Sequence, residues 1–193
     1  MSILHPDRLF SSCPKQRDLA RELYQQVAAL PIVSPHGHTD PRWFAQNTPF
    51  ANATELLLQP DHYLLRMLYS QGHGLDTLGI AGTGGSGADA DPAAVWQLFA
   101  DNYHLFRGTP TQMWMDHVFA EVFDLDERLV AGNGQHFFAE INRQLATPAF
   151  LPRALFERFN IEVIATTESP LDTLAAHRQI LEDPWPRVIT AFR

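Results

Sequence analysis

Cysteine is nearly missing from this chain: Cys13 is the one example in 193 residues. A lone cysteine cannot close an internal disulfide, so a reducing cytoplasm is the expected setting. Basic residues are also few. Fourteen Lys and Arg stand against 22 Asp and Glu, for a formal charge of −8. Nucleic acid and anionic membrane both demand basic surface, so neither is an expected partner. Long apolar runs are lacking, and none approaches the ~20 residues of a membrane helix. The opening Met1-Ser2-Ile3-Leu4-His5-Pro6-Asp7-Arg8 has no basic stretch leading into an apolar segment, so no secretory leader is expected. Glycine and proline, at 11 and 14, are too few for a collagen-like or low-complexity chain. What is there is 45% hydrophobic and 11% aromatic with only 19% charged, the make-up of a folded core rather than of disorder. The length suits one domain, or one and a half.

Residues 15–30 read as an amphipathic helix. Leu19, Leu23, Tyr24, Val27 and Leu30 fall at helical spacing, and Pro31 stops it. A short strand follows at Ile32-Val33-Ser34, running into Pro35-His36-Gly37-His38-Thr39-Asp40. The next 120 residues or so carry little strand signal. Helices are expected over Thr54 to Gln59, from Asp61 as N-cap through Tyr69, over Ala93 to Phe106 behind Asp91-Pro92, and over Thr111 to Phe123, Gln135 to Leu145 and Pro152 to Phe159. The last third changes character. Ile161-Glu162-Val163-Ile164-Ala165-Thr166 is a β-branched strand. Ser169-Pro170-Leu171-Asp172 reads as a capping box opening a helix to about Leu181, and Arg187 to Phe192 is a second strand. Strand, helix, strand in ~30 residues is a βαβ unit, which requires parallel pairing. No internal repeat is found.

Four groups of residues carry chemical meaning. In His36-Gly37-His38, residues two apart on extended backbone point the same way, so two imidazoles at a strand end make half of a divalent-metal site. The alternative is chance spacing, since nine histidines in 193 residues give about 0.4 such pairs. In Asp61-His62-Tyr63, an Asp61 cap puts His62 and Tyr63 in the first helical turn, where unpaired N–H groups and the dipole favour an anion. His62 is then a donor to a substrate carboxylate and Tyr63 a phenol placed for proton transfer. Inward packing of Tyr63 beside a solvated His62 is the other reading. Gly82-Thr83-Gly84-Gly85-Ser86-Gly87 satisfies G-x-G-x-x-G, but no strand precedes it and no helix opens on its last glycine, so it reads as a loop. Arg193, closing the last strand, suits bidentate carboxylate binding, or is simply a disordered last residue. No Gly-x-Ser-x-Gly elbow occurs and Cys13 has no placed base, so nucleophilic catalysis has no support.

Taken together and in order, Pro35-His36-Gly37-His38, Pro60-Asp61-His62-Tyr63-Leu64-Leu65-Arg66, Ala165-Thr166-Thr167-Glu168-Ser169-Pro170 and Phe192-Arg193 resemble the N-terminal part of the uronate isomerase (glucuronate isomerase) family of the amidohydrolase superfamily. The resemblance runs from about Asp7 to Arg193. It implies an α/β fold, a partial (β/α)8 TIM-type barrel holding the first three strands, with a large helical insertion after strand 1. The implied domains are 1–40 (first helix and strand 1), 41–160 (insertion) and 161–193 (strands 2 and 3). The family interconverts D-glucuronate with D-fructuronate and D-galacturonate with D-tagaturonate. By similarity, His36 and His38 match a metal-ligating pair for a divalent, zinc-type ion, His62 a contact to the substrate carboxylate and Tyr63 a catalytic tyrosine. Arg193 matches the arginine of a Trp-Arg-Pro-Asp stretch, with Phe192 in place of the Trp and no Pro-Asp. The expected partner is a small-molecule uronate, with a homo-oligomer in the full-length form. The remaining barrel strands of the family carry an aspartate ligand and an acidic catalytic residue that this chain lacks, so the chain alone is expected to be inactive. Two other readings stay open: a metal-dependent hydrolase of the same superfamily, and a non-catalytic helical binding or assembly module.

Overall fold

The first helix ends at Val27, three residues short of the expected Leu30 and ahead of Pro31, and the β-branched residues beyond Pro31 pair with a strand 130 residues away. In the computed structural model, which describes residues 3–80, 90–183, 185 and 187–192 (backbone alone at Phe192), β1 (Ile32–Ser34) lies parallel to β2 (Ile161–Glu168), with Val33 opposite Val163. β2 in turn lies parallel to β3 (Val188–Phe192), with Thr166 opposite Thr190, giving the order β1-β2-β3. The parallel βαβ pairing expected from the sequence is what forms. The glycine-rich segment Gly82 to Gly87 and Arg193 lie outside the described residues.

The chain divides into two compact units, one of Met1–Arg8 with Phe50–Thr147 and one of Leu9–Pro49 with Pro148–Arg193. The second holds the sheet, α1 (Pro14–Val27), α2 (Pro41–Gln46), α8 (Pro152–Arg158) and α9 (Ala175–Glu182). One sheet face packs Ile164 and Val188 on Phe44, Ala45, Phe156 and Ile180. Arg153 ties the helices together: its Nε donates to the Phe44 carbonyl at 2.8 Å and its Nη1 to Asp183 at 2.7 Å. Strand side chains alternate, so Val163, Ala165 and Thr167 face the other way from Ile164, Thr166 and Glu168.

The first unit is helical: α3 (Ala53–Leu57), α4 (His62–Ser70), α5 (Pro92–Asp101), α6 (Pro110–His117) and α7 (Gly134–Leu145). Its core is aromatic, with Trp96, Phe99, Phe106, Phe119 and Phe137 fully buried. Phe119 meets Phe137 edge-on at 5.2 Å between centroids, and Trp96 Nε1 donates to the Gly134 carbonyl at 2.9 Å. Polar caps start most of these helices: Asn52, Asp61, Asp91 and Thr109 each accept a backbone N–H of the first turn.

Some expectations change. The helix expected to reach Phe106 stops at Asp101, because Asn102 Nδ2 donates to the Leu98 carbonyl at 2.8 Å, and a tight 3-10 turn, Tyr103–Phe106, follows. The one expected over Thr111 to Phe123 ends at His117 and widens into a π turn, Val118–Val122. The capping box at Ser169 to Asp172 does not form. Ser169 Oγ accepts from the Leu171 N–H and Asp172 Oδ1 from the Leu174 N–H, so each short side chain closes its own turn. Leu174 turns left-handed (φ 54°) and α9 opens only at Ala175. The sequence reading missed α2, although Asp40-Pro41 carries the same start signal as Asp91-Pro92. On α1 the apolar stripe forms but is not covered: Leu19, Leu23, Tyr24 and Val27 stay more than half exposed.

Candidate functional site

The chain leaves β1 at Ser34 and two residues later presents His36, with Gly37 between it and His38. The two imidazoles come together edge to face, centroids 5.1 Å apart and planes at 86°. Both rings are exposed, whereas Gly37 is half-buried against β2. Thr167, next to last in β2, donates its hydroxyl to the Gly37 carbonyl at 2.9 Å, and the same oxygen lies 3.4 Å from His36 Nδ1. Among the described residues no group of three or more His, Cys, Asp or Glu is placed to hold a metal ion. The pair therefore offers two nitrogen donors, which suits half of a tetrahedral zinc-type set.

In the helical unit, Asp61 starts α4 as expected. Its carboxylate accepts from the Tyr63 N–H at 2.8 Å and the Leu64 N–H at 3.4 Å. This alters one expectation: those amides are already satisfied by a carboxylate, so they are not the donors for a bound anion. The His62 side chain beside them remains placed to contact an anion. The His62 and Tyr63 rings lie side by side, centroids 4.2 Å apart and planes tilted by 33°, and Tyr63 is 62% exposed rather than packed inward. Tyr63 and Asp61 line a cleft of about 650 Å³ whose other walls include Met67, Phe106, Thr109 and Trp114.

A family model described as glucuronate isomerase matches residues 11–193. The chain belongs to the glucuronate isomerase family. Relatives of this isomerase family include "Uronate isomerase" of Xanthomonas axonopodis pv. citri, 63% identical over 98% of this chain and 40% of its own length. The protein of the same name from Rhizorhabdus wittichii is 60% identical over 98% of this chain and 40% of its own length. The crystal structure of glucuronate isomerase from Caulobacter crescentus superposes with a TM-score of 0.94 at 55% identity, over 98% of this chain and 40% of that one. Uronate isomerase from Thermotoga maritima shares the fold, with a TM-score of 0.82 at 23% identity, over 100% of this chain and 39% of that one. The chain thus spans about 40% of the length of the curated relatives it matches.

Two groups in this glucuronate isomerase family member escaped the sequence reading as site residues. One is Thr167, whose signal was its place in Thr166-Thr167-Glu168 at a strand end. The other is a buried set on the opposite sheet face. His177 Nε2 lies 2.8 Å from Thr166 Oγ1 and 3.7 Å from Glu168 Oε1, with both ionisable side chains only 8% exposed. Thr190 donates to the other Glu168 oxygen. Glu168 and His177 border a polar cleft of about 570 Å³ shared with Asp40, Arg42, Asp172 and Gln179. Arg42 grips Asp40 through both carboxylate oxygens, and this hydrogen bonding holds the Asp40 carboxyl below the usual range.

Proposed function

We propose that this chain contributes the first part of a uronate isomerase active site, serving the interconversion of D-glucuronate with D-fructuronate and of D-galacturonate with D-tagaturonate. The observation that carries this reading is the His36/His38 pair just beyond β1, in a chain 63% identical to a curated uronate isomerase. The parallel order β1-β2-β3 supports taking the sheet as the first three strands of a (β/α)8 barrel, with the helices between β1 and β2 as an insertion. In such barrels the reacting groups gather at the C-terminal ends of the strands, which is where His36 and His38 stand.

The isomerisation moves a proton from C2 of the open-chain uronate to C1 through an enediol. Tyr63 takes part in that proton transfer from an exposed position on the first turn of α4. His62 beside it donates to the substrate carboxylate, and Arg193 completes its binding through a bidentate contact. His36 and His38 fit two positions around a divalent cation, which when bound stabilises negative charge developing on the C1 and C2 oxygens. The substrate is a small, soluble uronate and the setting the cytoplasm, in line with the single cysteine. No helix among the described residues is long and apolar enough to cross a membrane.

The test is a chimera in which this chain replaces the matching 40% of the Xanthomonas axonopodis relative. It is expected to interconvert D-glucuronate and D-fructuronate, and to lose most turnover on Tyr63→Phe. A folded chimera with no isomerase activity overturns the proposal. Turnover by the 193-residue chain alone would show that the catalytic groups are already complete within it.

A further inference from the structure

We infer that Thr167 is a positioning residue that fixes the tautomer of His36, leaving the Nε2 lone pair free for a cation. The inference uses the reading of His36 and His38 as cation ligands proposed above, but it stands on hydrogen-bond arithmetic at β2. A threonine hydroxyl has one proton to give. Thr167 gives that proton to the Gly37 carbonyl, 2.9 Å away. Toward His36 Nδ1, at 3.4 Å, the same oxygen can therefore only accept. A hydrogen bond across that gap requires the ring proton on Nδ1, and in the neutral imidazole Nε2 is then left as the acceptor.

The arrangement has two parts acting on one dipeptide. The bond to the Gly37 carbonyl anchors the backbone between the two histidines to β2. The contact to Nδ1 orients the His36 ring and selects which nitrogen faces outward. The sheet supplies the rigidity: Thr167 is paired in register with Ala191 of β3, so the backbone that carries the hydroxyl is held on a parallel ladder. A hydrogen bond that fixes the far nitrogen of a ligating histidine is worth about 10–100-fold in metal affinity at other sites. An unconstrained neutral histidine favours the opposite form, with the proton on Nε2. The Nδ1–H form at His36 is thus a distinctive signature.

The experiment is ¹⁵N–¹H NMR of the imidazoles in the 193-residue chain without metal, well above the ordinary titration range of histidine, joined to titration with Zn²⁺. The expected result is a protonated Nδ1 and an unprotonated Nε2 at His36. Thr167→Val should shift that ring toward the Nε2–H form and weaken Zn²⁺ binding about 10-fold or more. Thr167→Ser, which keeps the hydroxyl, should restore both. A wild-type ring with its proton on Nε2 overturns the inference, and so does a folded Thr167→Val chain with an unchanged tautomer. A folding defect in Thr167→Val is recognised by lost amide dispersion, and the wild-type tautomer and Thr167→Ser then decide. An Nδ1–H ring in a chain that takes up no Zn²⁺ sustains the tautomer inference and overturns the cation reading instead.

Discussion

The carboxylate of Asp61 accepts the backbone N–H of Tyr63 at 2.8 Å, so the residue that starts α4 also fixes where its first phenol emerges. Asp61→Ala removes a cap that serves two amides and is expected to cost about 1 kcal/mol of stability. Asp61→Asn should recover most of that loss, since an amide oxygen still accepts. Urea unfolding of the three proteins measures it, and equal midpoints for all three would show that the cap contributes nothing.

Gly134 opens α7 where no side chain fits. A Cβ there would stand 2.7 Å from the Ala100 Cβ and 2.9 Å from Gln97 Oε1. Alanine in place of glycine gains up to about 1 kcal/mol in helix propensity. Gly134→Ala is nevertheless expected to destabilise, by about 1–3 kcal/mol, because α5 and α7 must move apart. The Gly134 carbonyl accepts from the Trp96 indole, so tryptophan fluorescence should shift in the folded variant as well. A more stable Gly134→Ala protein would refute this packing argument.

Acid should loosen the fold in a defined window. The Arg143 guanidinium, then the Gln144 amide, hold the Glu140 carboxyl down at about 2. Arg42 lowers Asp40 likewise, and Arg187 lowers Glu157. A carboxyl depressed in the folded state stabilises fully above its ordinary value, and that contribution is lost as pH falls through the folded value. Thermal unfolding followed from about pH 5 down to about pH 2 should show a falling midpoint. In Glu140→Gln the slope should be shallower at the acid end. An identical slope would mean that the contact with Arg143 is lost in solution.

The His36/His38 pair makes a separate prediction. Either His36→Ala or His38→Ala should reduce Zn²⁺ affinity by at least about tenfold, since each removes one of two paired donors. Both side chains are exposed, so thermal stability without metal should stay within about 0.5 kcal/mol. Calorimetric titration of the two variants beside wild type reads the first effect and thermal unfolding the second. Unchanged Zn²⁺ uptake in both would remove the cation role from these residues.

Much of the fold was legible because its signals are local. Asp61, Asp91-Pro92 and Pro152 mark helix starts through the backbone of their immediate neighbours, and α4, α5 and α8 begin where those residues stand, whereas α1 ends at Val27, ahead of Pro31. Ser169 and Asp172 misled for the same reason. Each short side chain could serve a helix cap or its own turn, and the backbone of Leu174, not the local pattern, settled which. Asn102 likewise ends α5 through a side-chain bond that composition does not reveal.

The sequence by itself determined which residues carry chemistry: two imidazoles spaced to share a side of extended chain, and a capped helix presenting His62 and Tyr63. It also determined the parallel βαβ unit, since a crossover helix permits little else. Only the tertiary structure decided that Thr167 hangs over Gly37, that Glu168 turns to the opposite face toward His177, and that Leu19, Leu23, Tyr24 and Val27 of α1 stay more than half exposed. The first two outcomes depend on strand register, where a shift of one residue exchanges the two faces of β2. Register is set by pairing across 130 residues of chain, and no local pattern contains it.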